Sequence, residues 1–114
     1  MTEPKKARIV TLEGPCLVTP EDAERMRSRV VVLGPGEETG VHVTSMREEL
    51  LIPLEGEAVL VGPEGEHKVS PGMAVFIPRE MKHNIVNRSQ RAIRYIYVLA
   101  LQDDYEKIRQ DQTH

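Results

Sequence analysis

The chain has 114 residues, enough for one compact domain with a modest core and too few for two. Its 15 basic and 18 acidic side chains give a formal net charge of −3 without a basic cluster, so a nucleic acid is not expected as a partner. Aromatic residues make up only 4% of the chain, so Val, Leu and Ile are expected to fill most of the core.

The N-terminus has no apolar run long enough for a signal peptide. No window approaches the roughly 20 apolar residues that a membrane-spanning helix requires. Cys16 is the only cysteine, so no intramolecular disulfide can form, which suits a reducing compartment. We therefore expect a cytoplasmic protein that does not enter a membrane.

Residues 1–29 are expected to form an N-terminal extension that contains a strand and a short helix. The helix is predicted in "TPEDAERM", where Thr19 can cap the N-terminus, Pro20 suits the first helical position and acidic residues fill the first turn. At the other end, residues 102–114 are expected to form a polar tail with a helical turn or two that frays.

Between these ends, short apolar runs alternate with Gly and Pro. The runs that read as strands are "VVVL", "VHV", "ELLIPL", "AVLV", "HKV", "MAVFI", "HNIVN" and "AIRYIYVLAL". Hairpins are predicted around Gly56 and over residues 62–66, and "VSPGM" predicts a further turn. Pro53 interrupts a strand and is expected at a sheet edge or a bulge. Many short strands indicate an all-β antiparallel sandwich or barrel over residues 30–101.

The polar residues of these strands are the candidates for chemistry. In a strand, His42 and Thr44 share one face, while Glu48 and Glu49 point to opposite faces. Strand parity cannot be carried across the intervening turn, so it does not decide which glutamate faces His42. Imidazoles and a carboxylate that converge from separate strands would make a divalent metal site.

The series Gly36, His42, Thr44, Glu49, Gly56 and the series Gly72, Pro78, His83, Asn87 resemble the two gapped motifs of the cupins. The first cupin motif runs Gly, five residues, His-x-His, three or four residues, Glu, six residues, Gly. Gly36, His42, Glu49 and Gly56 fit it, with Thr44 in place of the second histidine. This spacing selects Glu49 over Glu48.

The second cupin motif runs Gly, five residues, Pro-x-Gly, two residues, His, three residues, Asn. Gly72, Pro78, His83 and Asn87 fit it, with Glu80 in place of the second glycine. The resemblance implies a cupin jelly-roll β-barrel of two antiparallel sheets. It also implies that His42, Glu49 and His83 ligate Fe, Mn, Ni, Zn or Cu, with positions left open for a substrate, water or dioxygen. Thr44 is not expected to ligate the ion.

Two functions follow from this resemblance. The first is a metal-dependent enzyme that acts on a small organic molecule by dioxygenase, isomerase or decarboxylase chemistry, with Glu48 or a metal-bound water transferring the proton. The second is a binding or sensing protein in which Thr44 marks a site that has lost its metal. Tyr95 and Tyr97 could line the pocket or pack between the sheets, and Arg47 and Arg79 could meet an anionic substrate at the mouth of the barrel. A homodimer is expected, because so small a barrel buries only a moderate share of its surface, and either residues 1–29 or the strand from Ile93 to Leu101 could supply the contact.

Overall fold

The computed structural model describes residues 7–19, 23 and 25–100, and every regular element within them is a β-strand. The strands are β1 (Cys16–Val18), β2 (Met26–Leu33), β3 (His42–Val43), β4 (Glu49–Glu55), β5 (Ala58–Gly62), β6 (Gly65–Val69), β7 (Val75–Ile77), β8 (Lys82–Val86) and β9 (Ile93–Ala100). The all-β prediction is therefore confirmed.

The strands form two antiparallel sheets. The first has five strands in the order β1-β2-β9-β4-β7, and the second has four in the order β3-β8-β5-β6. Strands that are distant in sequence lie side by side in both sheets, which confirms the predicted jelly-roll barrel.

The predicted helical segments fall largely outside the described residues. Of the segment "TPEDAERM", Met26 already belongs to β2, and residues 20–22 and 24 are not described. The N–H of Ala23 donates to the carbonyl of Thr19 at 3.0 Å, which is the spacing of one helical turn. The C-terminal segment also lies outside the described range. Among the described residues, no helix has the length and apolar character needed to cross a membrane.

The core lies between the two sheets and is mostly aliphatic, as predicted. The buried members of the core come from β2, β4, β5, β7, β8 and β9, so both sheets contribute to it. Its buried members are Leu33, Leu51, Ala58, Leu60, Ile77, Ile85, Ile93 and Tyr95. Strand β9 carries much of this packing, because it pairs with β2 over the whole length of both strands and with β4 on its other side.

Pro53 lies at a bulge, as predicted. Strand β4 pairs with β9 through Pro53, and the register then shifts before Glu55. Pairing of β4 with β7 on the other side covers only Glu49, Leu50 and Leu51. Pro53 has no N–H to donate, so the ladder toward β7 ends before it.

Of the predicted turns, the hairpin around Gly56 is wrong. The strands on either side of Gly56 belong to different sheets, so this glycine carries the chain across the sandwich. Its φ is +77°, and a Cβ there would stand 2.7 Å from Cγ2 of the buried Ile93. The predicted hairpin over residues 62–66 is confirmed, because β5 and β6 pair through Gly62 and Gly65.

Candidate functional site

A cavity of about 320 Å³ lies between the two sheets and receives side chains from both. Its polar wall includes two of the three predicted metal ligands, His42 and Glu49. The lining residues are Arg27, Val31, Thr39, His42, Val43, Thr44, Arg47, Glu49, Leu51, Ile85, Tyr95, Tyr97 and Leu99.

The predicted histidine ligands meet across one strand pair. His42 in β3 stands directly opposite His83 in β8, and their ring centroids are 4.2 Å apart in an edge-to-face arrangement. Each ring is held by a backbone carbonyl, since Nδ1 of His42 lies 2.8 Å from the oxygen of Gly40 and Nδ1 of His83 lies 2.9 Å from that of Met81. A carbonyl can only accept, so Nδ1 carries the proton and the lone pair of the neutral ring is on Nε2.

Glu49 completes the predicted set from the other sheet. Its Oε2 lies 3.7 Å from Nε2 of His83, and the two side chains are 12% and 0% exposed. Nε2 of His83 is buried without a hydrogen-bond partner. Burial lowers the pKa of His83, but the Glu49 carboxylate and the Met81 carbonyl outweigh it and leave the pKa raised.

These side chains suit a divalent transition metal in kind. Two imidazoles and one carboxylate are a common ligand set, backbone carbonyls orient both rings, and the buried Nε2 of His83 lacks the partner that such an atom requires. Among the described residues, however, no three His, Cys, Asp or Glu side chains already stand close enough to hold an ion. The three donors are therefore neighbours that would have to draw together around a metal.

Thr44, which replaces the second histidine of the motif, has a structural task. Its buried hydroxyl donates to the carbonyl of Pro78 at 2.8 Å and lies 3.4 Å from the N–H of Met81. The hydroxyl thus connects β3 to the segment that leads into β8 and His83. Thr44 also lines the cavity, and that it does not ligate an ion stays a prediction.

Glu48 and Asn87 lie away from this cavity. Glu48 precedes β4 and is not among the cavity-lining residues, so its role in proton transfer stays a prediction. Asn87 is fully buried, and its Nδ2 lies within 3.1 Å of the carbonyls of Leu33, Gly34 and Arg91. Asn87 therefore fastens the end of β2 to the loop before β9.

Both tyrosines of β9 line the cavity, and Tyr95 also belongs to the buried core. Burial raises the pKa of Tyr95, and the charge of Glu49 and the neighbouring Tyr97 raise it further. The Tyr95 hydroxyl therefore stays protonated at neutral pH and can donate a hydrogen bond to a ligand.

The arginines are distributed differently from the prediction. Arg47 lines the cavity, but Arg79 lines a separate groove of about 620 Å³ beside β6 and β7. Arg27 was missed, although it enters the cavity from β2. Strand alternation could have identified it, because Arg27 and the inward-facing Val31 are four residues apart on one strand and therefore share a face.

Comparison with known proteins agrees with this architecture. The family model described as the cupin domain matches residues 29–99. No curated protein matches the chain. The TT1209 protein from Thermus thermophilus has a similar structure, with 31% identity and a TM-score of 0.66 over 87% of this chain and 97% of that one.

Two further similar structures carry the names of enzymes. A sugar phosphate isomerase of the cupin superfamily from Silicibacter pomeroyi DSS-3 is 25% identical, with a TM-score of 0.66 over 79% of this chain. The present chain spans 61% of the length of that isomerase. A predicted oxalate decarboxylase from Thermotoga maritima is 22% identical, with a TM-score of 0.70 over 75% of this chain and 76% of that one, and at this identity it supports the fold alone.

Proposed function

This chain belongs to the cupin family, and on that premise we propose that it is an enzyme that holds one divalent transition metal ion and acts on a small organic molecule. The ligands would be His42, Glu49 and His83. The observation that carries the proposal is the buried Nε2 of His83, which has no hydrogen-bond partner and lies beside the Glu49 carboxylate and the ring of His42.

The chain supplies the surroundings that such chemistry needs. Bound there, the ion would polarise a substrate oxygen or activate dioxygen. The aliphatic residues Val31, Leu51 and Ile85 also line the cavity and can contact the apolar part of a small organic molecule. The protonated hydroxyl of Tyr95 offers a hydrogen bond to a substrate oxygen.

Isomerase, decarboxylase and dioxygenase chemistry remain the proposed reaction types. The isomerase neighbour supports a reaction on a small molecule in such a barrel. We propose that Glu48 exchanges protons with a substrate only by way of intervening water, because it does not line the cavity.

The test combines metal analysis with turnover. The protein is purified without chelators, its metal content is measured, and isomerisation, decarboxylation and oxygen uptake are assayed against a panel of small phenols, diketones, hydroxy acids and sugar phosphates. The proposal expects metal near one equivalent and turnover that a chelator abolishes. Metal binding without turnover on any substrate would favour a ligand-binding protein, and absence of metal after loading would contradict the site.

We also propose a homodimer formed through the outer face of the five-stranded sheet. That face is apolar across three strands, because Leu50 in β4 stands between Phe76 and Val98. Phe76 and Val32 on this face are 56% and 58% exposed. Strands that are apolar on both faces are typical of sheets covered on both sides, and a second copy of the same face would provide the cover.

A matched pair of substitutions tests this interface by sedimentation at micromolar concentration. Val32→Glu places a charge on the proposed interface, whereas Val41→Glu places it before β3, where the valine is 62% exposed. The dimer should weaken roughly tenfold or more in Val32→Glu only, because the interface would have to bury a carboxylate in place of an apolar side chain. A wild-type monomer would contradict the proposal.

A further inference from the structure

The cavity carries more positive than negative charge. Two of its lining side chains, Arg27 and Arg47, are permanently cationic, and Glu49 is the only carboxylate among them. The arginines enter from different elements, because Arg27 lies on β2 and Arg47 lies between β3 and β4. An ion at the proposed metal site would add further positive charge on the same wall.

Arg27 has a side-chain N–H donor without a hydrogen-bond acceptor. Its Nε is buried and has no partner. In the part of the chain that the structure describes, neither Arg27 nor Arg47 takes part in an ion pair. A buried arginine nitrogen without an acceptor is costly, and an acceptor on a ligand in the cavity would remove that cost.

We infer that the ligand of this cavity is a small organic anion, and that Arg27 and Arg47 hold its carboxylate or phosphate group. The planar guanidinium presents paired N–H donors that match the oxygens of either group. The inference deepens the proposed function, since it assigns a substrate class to the same cavity. Arg27 and Glu49 flank Leu99 in the same row of the five-stranded sheet, so the anionic group would lie close to the proposed metal ligands.

The test uses the intact protein after removal of metal by chelation and dialysis. Inorganic phosphate and acetate are titrated at low ionic strength, and the arginine Nε–H signals are followed by ¹H–¹⁵N NMR. Saturable shifts of the Arg27 Nε–H signal are expected with at least one anion, and glycerol should produce none. A response to phosphate alone points to a phosphate ester as the substrate, and a response to acetate alone points to a carboxylate.

Variants assign the binding to the two arginines. Arg27→Gln and Arg47→Gln should each lower the affinity for the anion about 10- to 100-fold, because each substitution removes charge-assisted hydrogen bonds. Arg91→Gln is the matched control, since Arg91 is exposed in the loop before β9 and lies outside the cavity. Arg27→Lys keeps the positive charge but lacks the paired N–H donors of the guanidinium, and it replaces Arg27→Gln if the glutamine variant does not fold.

Two results would overturn the inference. One is the absence of any saturable shift with either anion, and the other is equal weakening by Arg91→Gln and the cavity variants. Because the titration is done without metal, its failure is separate from failure of the metal site. A protein that binds metal but neither anion would refute the anionic substrate class and leave the proposed metal site intact.

Discussion

Removal of the Thr44 hydroxyl should destabilise the protein without emptying the proposed metal site. Thr44→Val keeps the branched shape but deprives the Pro78 carbonyl of its donor at 2.8 Å and the Met81 N–H of an acceptor at 3.4 Å. Thr44→Ser is the matched control, because it keeps the hydroxyl and removes only a methyl group.

The size of the effect follows from these two contacts. A buried carbonyl left unsatisfied costs about 1–3 kcal/mol. Pro78 is exposed, so water can reach its carbonyl and the cost belongs near the lower end of that range. The 3.4 Å contact is long and adds little. We therefore expect Thr44→Val to lower the free energy of unfolding by about 1–2 kcal/mol.

Urea unfolding at equilibrium measures this loss, and metal analysis of the folded variant measures its second consequence. Metal content per folded chain should match the wild type, because the hydroxyl is not a ligand. A Thr44→Val variant as stable as the wild type would contradict the structural role of the hydroxyl, and a folded variant that lost its metal would show that Thr44 is needed at the site.

Three further predictions concern backbone conformation and pH. Glu80→Gly should raise the free energy of unfolding, as measured by urea unfolding, by roughly 0.5–1 kcal/mol, because Glu80 has a φ of +60° that glycine adopts without strain. Gly56→Ala should cost about 1–3 kcal/mol more than Gly36→Ala in the same assay, because both have a positive φ but only Gly56 would bring a Cβ within 2.7 Å of a buried side chain; equal costs would contradict this. In the metal-free protein, NMR titration should give His83 a pKa above 6.5, and this pKa should fall in Glu49→Gln. The stability that protonated His83 contributes should be complete below pH 6.5 and should be lost as the pH rises through the raised pKa. An unchanged pKa in Glu49→Gln would contradict the role of Glu49.

Much of the fold follows from the sequence, because strand length, turn residues and alternation are local signals. The alternation of β4 places Glu49 with the buried Leu51 on the inner face, and Pro53 lies at the bulge that its missing N–H requires. The crossing at Gly56 was predicted as a hairpin, because a turn residue does not reveal whether the next strand pairs in the same sheet or in the other.

The candidate site was predictable only in part. Motif spacing singled out His42, Glu49 and His83, and the structure places His83 beside each of the other two without bringing all three close enough to hold an ion. The role of Thr44 depends on the Pro78 carbonyl, which is 34 residues away in the sequence, and no local sequence pattern predicts such a contact. The entry of Arg27 into the cavity likewise depends on how the two sheets pack.

Metal affinity in a pair of glutamine variants shows whether Glu49 is a metal ligand. The wild type, Glu49→Gln and Glu48→Gln are stripped of metal and titrated with a divalent transition metal ion in a calorimeter, and their bound metal is measured by elemental analysis. We expect about one ion per chain in the wild type and in Glu48→Gln, and a sharp loss in Glu49→Gln, because that substitution removes the only anionic residue of the proposed ligand set. Equal loss in both variants, or no binding by the wild type, would contradict the proposed metal site.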